Sequence, residues 1–168
     1  RRHSEGSLAP PIFQTATFTF ESAEKLAAFH GGDGGGFFYT RYGNPTLKAL
    51  EDKMAALAGA EAGMAAATGM AAITTAILAF VKAGDHVVAS TSIYGAAYNF
   101  INEKLPQMGV ERTFVASSDI GEYERALRPT TKLIYFETPS NPVLQVTDIA
   151  ALGKLANERG VATVIDNT

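Results

Sequence analysis

Several short segments of this 168-residue chain carry side chains whose types and spacing suit chemistry. The last is an apolar run, Val161-Ala162-Thr163-Val164-Ile165, that ends in Asp166-Asn167-Thr168. A carboxylate at the end of a buried strand is costly unless something compensates it. A protonated pyridine nitrogen would do so, with its own pKa raised in return. The alternative is an Asp that caps the next turn through nearby backbone N–H groups. Thr68-Gly69-Met70 reads as a strand passing into a helix, whose free N–H groups and positive dipole end suit a phosphate. Gly69 lets a ligand approach the backbone closely. An ordinary turn with Thr68 as the N-cap has the same composition. Tyr94, in Ser92-Ile93-Tyr94-Gly95, can stack on a planar ligand and pass a proton, or it is a half-buried core tyrosine. In Glu137-Thr138-Pro139-Ser140-Asn141-Pro142, two prolines bracket Asn141, so that a rigid loop would hold its amide toward a ring hydroxyl; a simple turn also fits.

The elements that must position these groups follow from periodicity. Residues 10–20 open with two prolines and read as an extended arm more than a central strand. Ser22 caps a short helix through His30, and the glycine-rich run 31–36 is a turn or loop. Asn44-Pro45 starts a helix with Leu47, Leu50, Met54 and Leu57 at helical spacing, and Gly59 ends it. Residues 61–67 read as a short small-residue strand. A helix then opens at Gly69 or Met70 and carries Ile73, Ile77, Leu78 and Val81. Strands are predicted at 86–90, 110–115, 132–138 and 162–166. Helices are predicted at about 96–107, at 122–127, and from the Asp148 cap to Gly160. Strands that alternate with helices and are continuously apolar predict an α/β fold: a mostly parallel sheet sandwiched by helices. Ligands gather at the carboxyl ends of such strands, where all the segments above converge.

Composition excludes several classes. The net charge of −3 offers no basic footprint for nucleic acid or anionic lipid. With no cysteine there is no disulfide framework, zinc-type cluster or thiolate nucleophile, which fits a reducing cytoplasm. No apolar run is long enough to span a bilayer, and the start does not read as a signal peptide. Gly32-x-Gly34 lacks the preceding strand of a nucleotide loop, Ser22-x-x-Lys25 lacks the companions of a serine acylase, and His3, His30 and His86 lack metal-like spacing.

Taken together the segments resemble the Cys/Met-metabolism family of pyridoxal-phosphate (PLP) enzymes. The likeness rests on Pro10-Pro11-Ile12-Phe13-Gln14-Thr15, Tyr39-Thr40-Arg41-Tyr42-Gly43-Asn44-Pro45-Thr46, Ala67-Thr68-Gly69-Met70-Ala71 and Ala83-Gly84-Asp85-His86-Val87. It continues through Tyr94-Gly95, Lys132 to Pro142, and Val164-Ile165-Asp166-Asn167-Thr168. The resemblance implies the large domain of a fold-type I PLP enzyme. Residues 1–44 would be an N-terminal arm and inter-subunit loop, and 45–168 the front part of the PLP-binding domain. It also implies that Gly69 and Met70 hold the cofactor phosphate and that Tyr94 stacks on the ring and transfers a proton. Asp166 would pair with the pyridine nitrogen, Asn141 would lie near the ring hydroxyl, and Thr168 would join the cofactor site. Tyr39 and Arg41 would reach the phosphate of a neighbouring subunit, which makes the enzyme a homo-oligomer, usually a tetramer.

The reaction implied is γ-elimination on methionine or cystathionine, giving thiol, ammonia and an α-keto acid. The alternative is γ-replacement, as in homoserine-ester sulfhydrylases or cystathionine γ-synthase. Many methionine γ-lyases have Cys after Tyr-Gly, where this chain has Ala96. The family's cofactor lysine follows the Asp-Asn-Thr strand, and no Lys lies beyond Lys154. The expectation is therefore that the chain alone is an inactive fragment, with a non-catalytic α/β binding module as a further alternative.

Overall fold

A computed structural model describes residues 6–116 and 118–168; His3 and the start of the chain, read above against a leader, lie outside them. The chain forms two compact units, one up to Ala65 and one from Ala66.

In the first unit, α1 (Ala23–His30) is capped by the Ser22 side chain and α2 (Pro45–Ala58) by Asn44, which accepts the Thr46 N–H at 2.8 Å. Gly59 ends α2 in the left-handed conformation, φ 62°, which a residue without Cβ adopts freely. The extended arm is tied to the start of α2. The Phe13 N–H donates to Thr46 Oγ1 at 2.9 Å, and Asn44 Nδ2 donates to the Phe13 carbonyl at 2.9 Å. Leu47, Leu50, Met54 and Leu57 form an exposed apolar stripe on α2. The strand expected at 61–67 does not form. Instead the Ala65 N–H donates to Glu51 Oε1 at 2.9 Å, and Gly63 lies so close to α2 that a Cβ would stand 2.7 Å from the Glu51 carbonyl oxygen. Small residues there permit close packing on a helix, which outweighs a weak strand preference.

The second unit begins with α3 (Gly69–Leu78). There follow β1 (His86–Ser90), α4 (Gly95–Asn99), a π-helical turn (Phe100–Lys104) and α5 (Leu105–Gln107). The remaining elements are β2 (Glu111–Val115), α6 (Ile120–Ala126), β3 (Thr131–Glu137), α7 (Ile149–Arg159) and β4 (Ala162–Asp166). The single helix expected at 96–107 is widened at its centre because Pro106 lacks an N–H and its ring crowds the carbonyl one turn earlier. All strand pairs are parallel, in the order β2-β1-β3-β4.

Alternate residues of the buried strands face opposite layers. Val87, Ala89, Leu133 and Tyr135 pack with Ile77, Ala97, Ile101 and Leu105 from α3 to α5. Val88, Ile134 and Phe136 pack with Tyr123 of α6 and Leu152, Leu155 and Ala156 of α7. Burial on both faces is why these strands are continuously apolar in sequence. Among the described residues no helix is long and apolar enough to cross a membrane.

The order of strands has a consequence for binding. From β1 the chain turns outward to β2, whereas from β3 it turns the other way to β4. Their connections diverge above the sheet and open a crevice between the ends of β1 and β3, the place where ligands settle in doubly wound sheets.

Candidate active site

A cavity of about 820 Å³ occupies that crevice. Gly69, Met70, Tyr94, Asn141, Asp166 and Thr168 all line it, so six of the residues singled out in sequence meet at one place. The volume lies within the range of small-molecule and cofactor sites. Tyr39 and Arg41 belong to the first unit, where the Arg41 guanidinium lies over the Tyr39 ring at 4.6 Å.

The α3 wall is built by a cap. Thr68 Oγ1 accepts the Ala71 N–H at 3.1 Å and its carbonyl accepts the Ala72 N–H at 3.0 Å. This leaves the N–H groups of Gly69 and Met70, which have no partner inside the helix by its geometry, at the cavity. A Cβ on Gly69 would meet nothing within 4 Å, so the space beside these donors is open. The Thr68 cap and the anion-suited helix start are therefore the same feature.

Asp166 ends β4 and is half-buried. Its Oδ1 accepts from the Thr168 N–H at 3.0 Å and from the Thr168 hydroxyl at 2.6 Å. Its Oδ2 lies 3.5 Å from the Tyr135 hydroxyl, which donates to it. Tyr135 is fully buried on β3, and burial, with the neighbouring Asp166 and Glu137 carboxylates, pushes its phenol well above the usual tyrosine range. It thus stays protonated and can only support the Asp166 carboxylate. Sequence reading did not identify Tyr135. The usable signal was the two-residue period of β3, which sets Tyr135 and Glu137 on one face, with Glu137 opposite Asp166 in register.

The loop after β3 is held by Ser140, itself buried. Its N–H donates to the Gln145 carbonyl at 2.9 Å, its carbonyl accepts the Leu144 N–H at 2.7 Å, and its hydroxyl accepts the Gln145 N–H at 3.0 Å. Asn141 and Leu144 are thereby presented at the cavity with their side chains exposed. Leu144 has φ 55°, a left-handed conformation uncommon outside glycine. Tyr94 follows β1 and is 44% exposed. Its N–H donates to Glu137 Oε2 at 2.6 Å, while Glu137 itself is only 8% exposed. Glu137 had no role in the sequence reading beyond its place in the loop.

These residues fit a flat, phosphorylated, nitrogen-containing ring. Open helix-end donors suit the phosphate, and a supported carboxylate suits a protonated ring nitrogen. An aromatic face suits the ring plane.

Comparison with known proteins agrees. L-methionine gamma-lyase of Pseudomonas putida is 43% identical over 163 residues, 97% of this chain and 41% of that protein. Cystathionine beta-lyase MetC of Bacillus subtilis is likewise 43% identical over 163 residues, 97% of this chain and 40% of that one. A crystal structure assigned as an O-acetylhomoserine (thiol)-lyase from Campylobacter jejuni, with N'-pyridoxyl-lysine-5'-monophosphate, superposes with a TM-score of 0.94 at 30% identity. The match covers 100% of this chain and 42% of that one. The chain thus spans about two fifths of the length of the relatives it matches. A family model matches residues 1–168 in full, and the chain belongs to the Cys/Met metabolism PLP-dependent enzymes.

Proposed function

We propose that the protein in its complete form is a carbon–sulfur lyase that catalyses γ-elimination on methionine or cystathionine, releasing a thiol, ammonia and an α-keto acid, and that this chain alone is inactive. The observation that carries this reading is the cavity at the ends of β1, β3 and β4, which gathers open helix-end donors, a tyrosine and a supported carboxylate. The likeness to L-methionine gamma-lyase over 97% of the chain supports the reaction type.

PLP, when bound, supplies an electron sink that makes the α-proton of an amino acid labile. The residues of this chain would bind and orient it and serve the leaving group. The Gly69 and Met70 N–H groups donate to the phosphate at the start of α3. Asp166, held by Thr168 and Tyr135, keeps a proton on the ring nitrogen. Thr168 fixes the carboxylate's orientation, and Asn141 donates to the ring hydroxyl. Tyr94 covers the ring face and hands a proton to the departing sulfur. Pro139, Pro142 and Leu144 line one side of the cavity. Tyr39 and Arg41 reach the phosphate of a neighbouring subunit in a cytoplasmic homo-oligomer, a tetramer whose sites are shared between partners. The exposed apolar stripe of α2 supports an oligomeric state.

The likeness to the O-acetylhomoserine (thiol)-lyase structure, and Ala96 after Tyr94-Gly95, favour γ-replacement as the second reading. The deciding assay uses the full-length enzyme, of which this chain is the front part, with PLP. One arm measures α-keto acid and thiol from methionine or cystathionine; the other measures thioether formation from an acylated homoserine plus a thiol. Turnover in the first arm is expected. Turnover in the second arm alone moves the protein to γ-replacement, and none in either arm rejects both readings.

A further inference from the structure

The two loops that wall the cavity leave the sheet in opposite directions, so something has to fix their spacing. On the β1 side, Thr91 donates its N–H to the Val115 carbonyl at 2.9 Å and Ser92 donates to Ser90 Oγ at 3.1 Å. Ile93 is buried in the core. Both hydrogen bonds face β2 or the loop's own strand, while Ile93 packs in the core cluster shared with Leu133 and Tyr135. Tyr94 then stands as the residue before α4, with no side-chain cap bond and exposed at the cavity. Its N–H donates across the crevice to Glu137 Oε2 at 2.6 Å, a bond between residues 43 apart. Among the described residues this is the hydrogen bond that joins the loop after β1 to the end of β3.

Glu137 is well placed to hold it. It is the last residue of β3, a strand buried along its length apart from Lys132, and it is itself buried. Its backbone is fixed in register with Asp166. A glutamate reaching back to the N–H of a helix's N-cap residue also does the job of the distal half of a capping box, here supplied from another strand. The acceptor is thus rigid and the donor is on a loop.

We propose that Glu137 is a positioning residue: by accepting the Tyr94 N–H it sets where the Tyr94 ring stands over the cavity. What the bond requires is an acceptor at the length of this side chain, not its charge. The tie is a contact within the protein itself, whereas its effect on turnover rests on the function proposed above.

Three variants of the full-length enzyme separate length from charge: E137A removes the acceptor, E137D keeps the charge but withdraws it by one methylene, and E137Q keeps the acceptor without the charge. The first readout is amide hydrogen exchange at Tyr94 in the protein without PLP. E137A and E137D are expected to exchange about tenfold faster or more, with E137Q restoring the slow rate. The second readout is steady-state kinetics with methionine. E137A and E137D are expected to lower kcat by about 10- to 100-fold with KM within about threefold, since a displaced proton donor costs rate more than binding. E137Q should recover most of that loss. Wild-type behaviour of E137D, or an E137Q as impaired as E137A, overturns the proposal in favour of a role for the charge. Should E137A fail to fold, the comparison of E137D with E137Q still decides. If wild type turns over no substrate, the proposed function fails, and the exchange rates alone decide the tie.

Discussion

Asp166 divides its two oxygens between different tasks. Oδ1 takes both Thr168 donors, which is the turn-capping role, and Oδ2 meets the Tyr135 hydroxyl beside the cavity. The turn-forming alternative for this residue is met by Oδ1, and the proposed ligand role is left to Oδ2. Gly69 offers a sharper test of the site. Because a Cβ there meets nothing within 4 Å of the protein, Gly69→Val should leave folding stability within about 1 kcal/mol of wild type, the range of substitutions that disturb no packing. The added methyls would stand where a ligand must approach the helix-end donors. PLP binding, followed by absorbance titration, should weaken at least about 100-fold, equivalent to roughly 2.7 kcal/mol. Unchanged binding in a stable Gly69→Val protein would remove the phosphate from the start of α3.

At the scale of elements, β1 carries a polar residue through the sheet. His86 is fully buried, with Nδ1 2.8 Å from Thr131 Oγ1 on β3 and Nε2 2.9 Å from Thr113 Oγ1 on β2. Burial holds the ring's pKa below the usual histidine value. The nearby Arg128 guanidinium lowers it further, and Glu111 offsets part of this. The sign follows directly. Above the ordinary pKa of 6.5 the ring is neutral in folded and unfolded chains. Below it the unfolded chain takes up a proton that the folded chain resists, so stability falls as pH drops from 6.5 toward the lower folded value. Thermal unfolding between about pH 7 and about pH 5 should thus lose stability more steeply in wild type than in His86→Gln. Parallel slopes would show that the ring is not the titrating group.

Much at this scale was legible beforehand. Ser22, Asn44, Thr68 and Asp148 each cap the helix their types announced, because a cap is a contact between residues two or three apart. The buried strands were legible because both their faces are covered. What local pattern could not supply was partnership at a distance. The run 61–67 chose α2 over the sheet, and the bond between Tyr94 and Glu137 depends on register set by other strands. The gathering of site residues at one sheet edge was legible from topology, whereas the Ser140 clamp behind Asn141 was not.

For the whole molecule, the proposed sharing of sites between subunits has a direct test. Arg41→Ala and Asp166→Ala would damage the same site from different chains. Each homo-oligomer should be nearly inactive. After the two are mixed and allowed to exchange subunits, a hybrid pair contains one site with both defects and one with neither, so about a quarter of all sites should recover. Continued inactivity of verified hybrids would place Arg41 and Asp166 in a site of one chain. The cavity itself has walls of two different kinds. Asp166 and the Gly69 donors are fastened to a strand end and a helix start, whereas Asn141 and Leu144 hang from a loop gripped by Ser140, with Leu144 74% exposed. Mutations in such a hanging segment can reshape what the cavity admits while the sheet and its electrostatics stay put. On the proposed function, a lineage built this way can change its preferred amino acid without rebuilding its chemistry; a methionine gamma-lyase and a cystathionine beta-lyase are each 43% identical to this chain.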